Sequence, residues 1–168
     1  FPPLRMSYRG HGELLQGLGV GVILPLVGFH AQAGSFAAMP WLGLLPCFLL
    51  GWAGNVLTSL PDYLADKRAD KRSYPVRRDQ FNARRHALEL SALALAFGWL
   101  VVPGLPWWAL AIVVGVPAVP LFFALRLMGT ADAGNDAECL RFVLLGAAVG
   151  NLAMLAWMIA ALLQYWLG

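Results

Sequence analysis

Long stretches of this chain carry almost no charge, and they dictate the solvent it folds in. Apolar runs lie at about 14–33, 36–60, 87–105, 107–125 and 141–165. Each approaches the ~20 residues that a helix needs to cross the hydrocarbon core of a bilayer. In that core every backbone N–H and C=O must be paired within the protein, so only helices and closed barrels span it. The runs are continuous and do not alternate with a period of two, so helices are expected rather than barrel strands. The expectation is an all-α, polytopic membrane helix bundle of about five transmembrane helices, with 1–168 as a single membrane domain. Charged residues are 12% of the chain, about half the ~25% of an ordinary soluble domain. That composition excludes a soluble globular fold. Pro25, Pro40, Pro46, Pro117 and Pro120 predict kinks, which neighbouring helices can tolerate. The stretch Val102-Pro103-Gly104-Leu105-Pro106 reads as a turn.

The charge that exists is concentrated. Eight of the twelve Lys and Arg lie between Lys67 and Arg85. Nucleic acid is excluded as their partner, because apolar spans flank them on both sides. Phosphorylated substrates or membrane anions fit better. Basic and uncharged connections alternate at every predicted crossing. The positive-inside rule therefore puts the N-terminus and the 61–86 loop on the cytoplasmic side of an inner membrane. Trp107, Trp108, Tyr165 and Trp166 fall at predicted span ends, where an interfacial aromatic belt belongs. A signal-peptide reading of the first span, with Ala31-Gln32-Ala33 as cleavage site, conflicts with Glu13 and with this topology. Cys47 and Cys139 share no metal spacing and read as buried hydrophobes.

The loop begins PDYLADKRADKRSYPVRRDQ, residues 61–80. Asp62, Asp66 and Asp70 stand four apart, a spacing that lines one helical face. Such carboxylates repel unless cations neutralise them. The interleaved Lys67, Arg68, Lys71 and Arg72 could do so, and so could a divalent metal. Mg²⁺ prefers a few carboxylates with waters and substrate phosphates. The candidate metal ligands are Asp62, Asp66 and Asp70, with the basic residues holding phosphate oxygens. Asn55, Thr58 and Ser59 continue the same face into the preceding span, so a polar pocket is expected at the mouth of an apolar bundle. The alternative is an ordinary positive-inside loop.

PDYLADKRADKRSYPVR resembles the second aspartate-rich motif of the UbiA-type intramembrane prenyltransferases, which reads PDYEAD, then a basic-glycine segment, then T-L-x-V-R-x-G. LRMSYRGHGE, Leu4 to Glu13, resembles a Y-R-G-x-G-E segment of the branch that prenylates dihydroxynaphthoate for menaquinone. The resemblance implies a fold of about nine membrane helices. It also implies Mg-dependent transfer of a prenyl group from a polyprenyl diphosphate to an aromatic acceptor in the bilayer. Carried over, Asp62 and Asp66 are the catalytic metal-diphosphate ligands. Lys67, Lys71 and Arg72 steady the diphosphate. Tyr8, Arg9, Asn55 and Thr58 border the substrate pocket. Four departures from the family's pattern stand out. Asp70 and Asp79 occupy positions where Gly is usual. Leu64 replaces a frequent Glu, and Thr58 a frequent Asn. The family's first aspartate motif is absent from these 168 residues. The chain is therefore expected to be the C-terminal half of a longer enzyme, or to work with a partner chain carrying that motif. The alternatives are a non-catalytic lipid- or quinone-binding protein of the same fold and half of a transporter. No charge lies deep in a span, which disfavours ion coupling.

Other polar residues carry plainer expectations. Glu89 and His30 read as interfacial, and His11 and His86 as solvated. Glu13 is balanced between an interfacial place and a motif role. Asn151 predicts a helix–helix hydrogen bond, and Gly17, Gly19, Gly21 and Gly28 predict close helix packing. Asp132, Asp136 and Glu138 predict a solvated acidic loop.

Overall fold

The computed structural model describes residues 10–167, which form helices joined by short connections. Helix α1 (Gly12–Leu18) passes through a π stretch, Gly19–Ile23, into α2 (Leu24–Ala33), making one rod of 22 residues. Proline cannot donate into the helical ladder. The widened turn just before Pro25 accommodates this, with the Leu24 N–H donating to the Gly19 C=O. A short 3₁₀ turn at Trp41–Gly43 leads into α3 (Leu44–Ser59). Two short helices follow, α4 (Tyr63–Arg68) and α5 (Tyr74–Arg78), and then α6 (Gln80–Ala96). The bundle ends with α7 (Trp107–Leu127), which stays helical across Pro117 and Pro120, and α8 (Asp136–Leu167).

Among the described residues, four helical segments are long and apolar enough to cross a membrane: Gly12–Ala33, Trp41–Ser59, Trp107–Leu127 and Asp136–Trp166. The expected span at 87–105 is the difference. Its helix starts earlier, at Gln80, so its first turns carry Asn82, Arg84, Arg85, His86 and Glu89. It stops at Ala96, and a 3₁₀ turn at Gly98–Leu100 precedes the Pro103 turn. The 61–86 segment is likewise mostly helical rather than an open loop. Helix α8, at 32 residues, is about 48 Å long, well beyond the ~30 Å hydrocarbon core. That surplus lets its first turn keep Asp136 and Glu138 in water.

The core has two layers along α3, α6, α7 and α8. One gathers Leu49, Leu50, Ala94, Val149 and Trp157, and the other Val56, Leu57, Ala87, Ala124 and Phe142. The rod α1–α2 lies against α3 backbone to backbone. A Cβ on Gly17 would sit 2.7 Å from the Trp52 Cα, and one on Gly21 2.5 Å from the Phe48 Cα. Gly19 and Gly28 face open space, so only the pair one turn apart sets the crossing. Large apolar side chains cover the outside, including Leu24, Val27, Ile112, Val119, Leu144 and Leu162. A hydrocarbon solvent explains that surface, since a water-soluble monomer rarely exposes so much.

Two ties define the ends. Gln164 donates to the Pro103 C=O at 3.1 Å, joining the end of α8 to the uncharged turn before α7. At the other end Arg84, 2% exposed, donates to the Met128 and Ala131 carbonyls, both at 2.8 Å. It also pairs with Asp132 at 2.8 Å. Asp132 is therefore the anchor of the α7–α8 connection rather than a free loop acid. Glu138 pairs with Arg141 at 3.0 Å.

Candidate functional site

The aspartates lie at the charged end, on and around the six-residue α4. Asp62 is its exposed N-cap. Asp66, one turn on, is 6% exposed. Its Oδ1 accepts from the Lys71 Nζ at 2.9 Å, and its Oδ2 is buried without a partner among the described residues. A backbone bond brings Lys71 there, with its N–H donating to the Asp66 C=O at 2.9 Å. That six-to-one bond closes a Schellman-type helix end whose left-handed residue is Asp70, at φ 51°. Asp70 is thus past the end of the helix and exposed. The three Asp do not continue along one helical face, and Asp70 serves the turn. Lys71 sits in the field of three carboxylates. Its hydrogen bond to Asp66, with the charges of Asp66, Asp62 and Glu13, holds its pKa above the usual lysine value despite some burial.

Glu13 is 7% exposed. Its Oε1 accepts from the Tyr74 N–H at 2.8 Å, at the first residue of α5. Carboxylates are favoured at helix N-termini, whose first N–H groups lack partners. In return, Arg77 donates to the Gly10 C=O. The start of α1 and α5 are thereby clamped by two reciprocal bonds. Glu13 is a structural link between the two motifs, not an interfacial acid. Ser73, the N-cap residue of α5, is 1% exposed, and its hydroxyl has no partner among the described residues. Lys67 lies over the Tyr63 ring, 5.8 Å from its centroid. Arg72 is exposed. Tyr8 and Arg9 lie outside the described residues.

A cleft of ≈ 340 Å³ opens between α3 and α8, with Val20 of the first rod on its wall. Its polar groups are Asn55, Thr58, Ser91 and Asn151. The Asn55 Nδ2 donates to the Gly51 C=O at 2.7 Å, which fixes its amide. Of the predicted polar stripe, Asn55 and Thr58 line the cleft, while Ser59 donates back to the Val56 C=O at 2.8 Å and α3 ends there, so no continuous helical face carries the stripe on to Asp62. Asn151 makes no hydrogen bond to another helix among the described residues. It is exposed into the cleft. A single Asn in the middle of α8 gives no sequence signal for that, because helix pairing and cleft lining look alike in one dimension.

His86 also departs from expectation. It is half-buried, stacked on Tyr74 with centroids 5.0 Å apart and planes 14° apart. Trp52 meets it edge-on, with ring centroids 5.0 Å apart and planes at 76°. Burial pushes its pKa below the usual histidine value, the Glu89 charge opposes this, and Arg78 adds to it. Glu89 is exposed and pairs with Arg85 at 2.7 Å.

No three Asp, Glu, His or Cys side chains gather as a metal cage among the described residues. Mg²⁺ asks for less, since one or two carboxylates with waters and phosphates suffice. The unpartnered Oδ2 of Asp66 and the exposed carboxylate of Asp62, one turn away, meet that lower requirement. Asp62 and Asp66 are thus the two carboxylates at this end open to a role with a hard cation, with Lys67, Lys71 and Arg72 the cations that follow them in the chain.

The chain matches no curated protein, and no solved structure matches it. A family model described as the UbiA prenyltransferase family matches residues 2–146, across both motif segments and into α8. A match over most of the chain, on a helical membrane bundle with this motif at one end, shows that the chain belongs to the UbiA prenyltransferase family.

Proposed function

We propose that the chain takes part in Mg-dependent transfer of a prenyl group from a polyprenyl diphosphate to an aromatic acceptor of the menaquinone type. In this reading it supplies the second aspartate motif, and a further membrane body completes the site. That body is either the preceding half of a longer protein or a partner chain carrying the first motif. The observation that carries the reading is Asp66: a carboxylate buried at the charged end of the bundle, with one oxygen on Lys71 and the other unpartnered.

Asp62 and Asp66 would hold Mg²⁺. When bound, it neutralises the diphosphate and stabilises the charge that grows as the allylic carbon–oxygen bond breaks. Lys67, Lys71 and Arg72 grip the remaining phosphate oxygens. Lys71 stays protonated throughout the neutral range, so it can serve as counter-ion to Asp66 or to phosphate. The cleft between α3 and α8 offers apolar walls to the prenyl chain and amide groups at Asn55 and Asn151 to an acceptor. The motif loop is assigned to the cytoplasmic face of the inner membrane.

The test uses the native full-length protein in membranes, with a labelled polyprenyl diphosphate and a dihydroxynaphthoate acceptor. Product should form with Mg²⁺ and vanish with EDTA, returning when Mg²⁺ is restored. A second reading, a non-catalytic lipid- or quinone-binding protein, is favoured by one observation: Lys71 already neutralises Asp66. Any Mg-dependent prenylated product rejects it. Absence of product with every acceptor and chain length tried rejects the transferase.

A further inference from the structure

A second charged cavity lies apart from the aspartates, between α5 and α6. Its volume is ≈ 440 Å³, and Arg77, Arg78 and Arg85 line it together with Tyr74 and Asn82. It shares no lining residue with the cleft between α3 and α8. One acid, Glu89, enters it, and Arg85 already engages that carboxylate through its Nε at 2.7 Å. A guanidinium has five N–H donors, so Arg85 keeps its terminal pair. Arg77 spends one nitrogen on the Gly10 C=O. Arg78 is exposed, with no hydrogen bond or ion pair among the described residues. Three cations thus face one anion. The stacked rings of Tyr74 and His86 form one rigid wall.

We propose that this cavity binds a phosphate group, with Arg78 and Arg85 as its principal ligands, at a site distinct from the one assigned to the prenyl diphosphate. Guanidinium forks match phosphate oxygens in pairs, which a scattered positive surface does not. The cavity also sits at the charged end of the bundle, opposite the Tyr165–Trp166 end. Anionic headgroups meet a membrane protein at such an end. The phosphate can come from two sources: the phosphodiester of an anionic lipid, or free phosphate or pyrophosphate.

The experiment measures binding to the native full-length protein purified in a neutral detergent. Phosphatidylglycerol, phosphatidylcholine, inorganic phosphate and pyrophosphate are titrated separately. Thermal midpoint and mass of the intact complex are the readouts. Saturable binding of phosphatidylglycerol alone assigns a lipid headgroup, and saturable binding of phosphate or pyrophosphate assigns the free anion. In either case R78Q and R85Q should weaken binding at least about tenfold. R68Q, which removes a charge from the same end outside the cavity, should not. Asp66→Asn should leave the binding of phosphatidylglycerol or inorganic phosphate unchanged, which separates this site from the proposed catalytic one, where pyrophosphate also binds. Three results overturn the proposal: no saturable binding from either source, equal weakening by R68Q and R78Q, or loss of phosphatidylglycerol and inorganic phosphate binding in Asp66→Asn. R78Q alters an exposed residue without a hydrogen-bond or ion-pair partner among the described residues, and an unchanged thermal midpoint without ligand separates lost binding from lost folding.

Discussion

Two residues explain departures that looked like damage in the motif. Asp70 and Asp79 stand where the family's pattern has Gly, and they are the two non-glycine residues with positive φ among those described, at 51° and 69°. Glycine adopts such angles without steric cost; Asp tolerates the left-handed region of Asp70 better than most residues, whereas Asp79, with ψ 162°, lies in an extended region that is essentially glycine's own. The sequence shows the missing glycines but not the sign of φ, so Asp70 read as a third ligand. Asp70→Gly relieves the positive φ but adds unfolded-chain entropy, so it should change unfolding stability by less than about 1 kcal/mol and leave prenyl transfer intact. Chemical denaturation and the transfer assay check both parts, and a metal ligand would instead lose activity. Asp79 differs, because its carboxylate accepts from the N–H and the side-chain amide of Asn82 at 2.8 and 2.6 Å and so caps α6. Those bonds hold its pKa below the usual aspartate value.

His86 gives a pH signature. Its folded-state pKa is lowered, mainly by burial, so the folded state takes up a proton less readily than the unfolded chain. Its contribution is complete above the unfolded value of ~6.5 and lost as pH falls below it. Thermal midpoints between pH 5 and 8 should decline on the acid side, and His86→Phe should flatten that decline. An unchanged slope in the variant would assign it to other groups.

At the scale of elements, the apolar runs were legible because the hydrocarbon core sets both length and composition. Helix α6 was not, because its first turns carry charge that tertiary contacts consume. Arg84 reads as one more topological cation, yet it is the bolt that holds the α7–α8 connection to α6 through two carbonyls and Asp132. Removing a buried charge partner typically costs about 3–5 kcal/mol. Asp132 is half-exposed, so Arg84→Ala should cost about 3 kcal/mol. Arg85→Ala, which removes an exposed pair to Glu89, should cost less than about 1 kcal/mol. Unfolding of both variants in detergent tests the contrast. The Gly17 and Gly21 crossing was legible as a possibility, and Gly19, two residues from Gly17, points away as helical geometry dictates; that Gly28 faces open space was not legible.

For the whole molecule, the order of helices brings two distant segments together. Glu13 of the first motif segment caps α5 of the second across 61 residues. The first motif segment, the aspartates and the lysines therefore belong to one charged end. The resemblance supplied the identity of the motif, while the pairing of Asp66 with Lys71 needed three dimensions. The central claim concerns Asp66 as a holder of cation and diphosphate, and its rate dependence tests it most directly. Mg-dependent transfer from a labelled polyprenyl diphosphate should fall at least about 100-fold in Asp66→Asn, equivalent to about 2.7 kcal/mol of transition-state stabilisation, with the protein still folded. Turnover within twofold of the unaltered protein would contradict it.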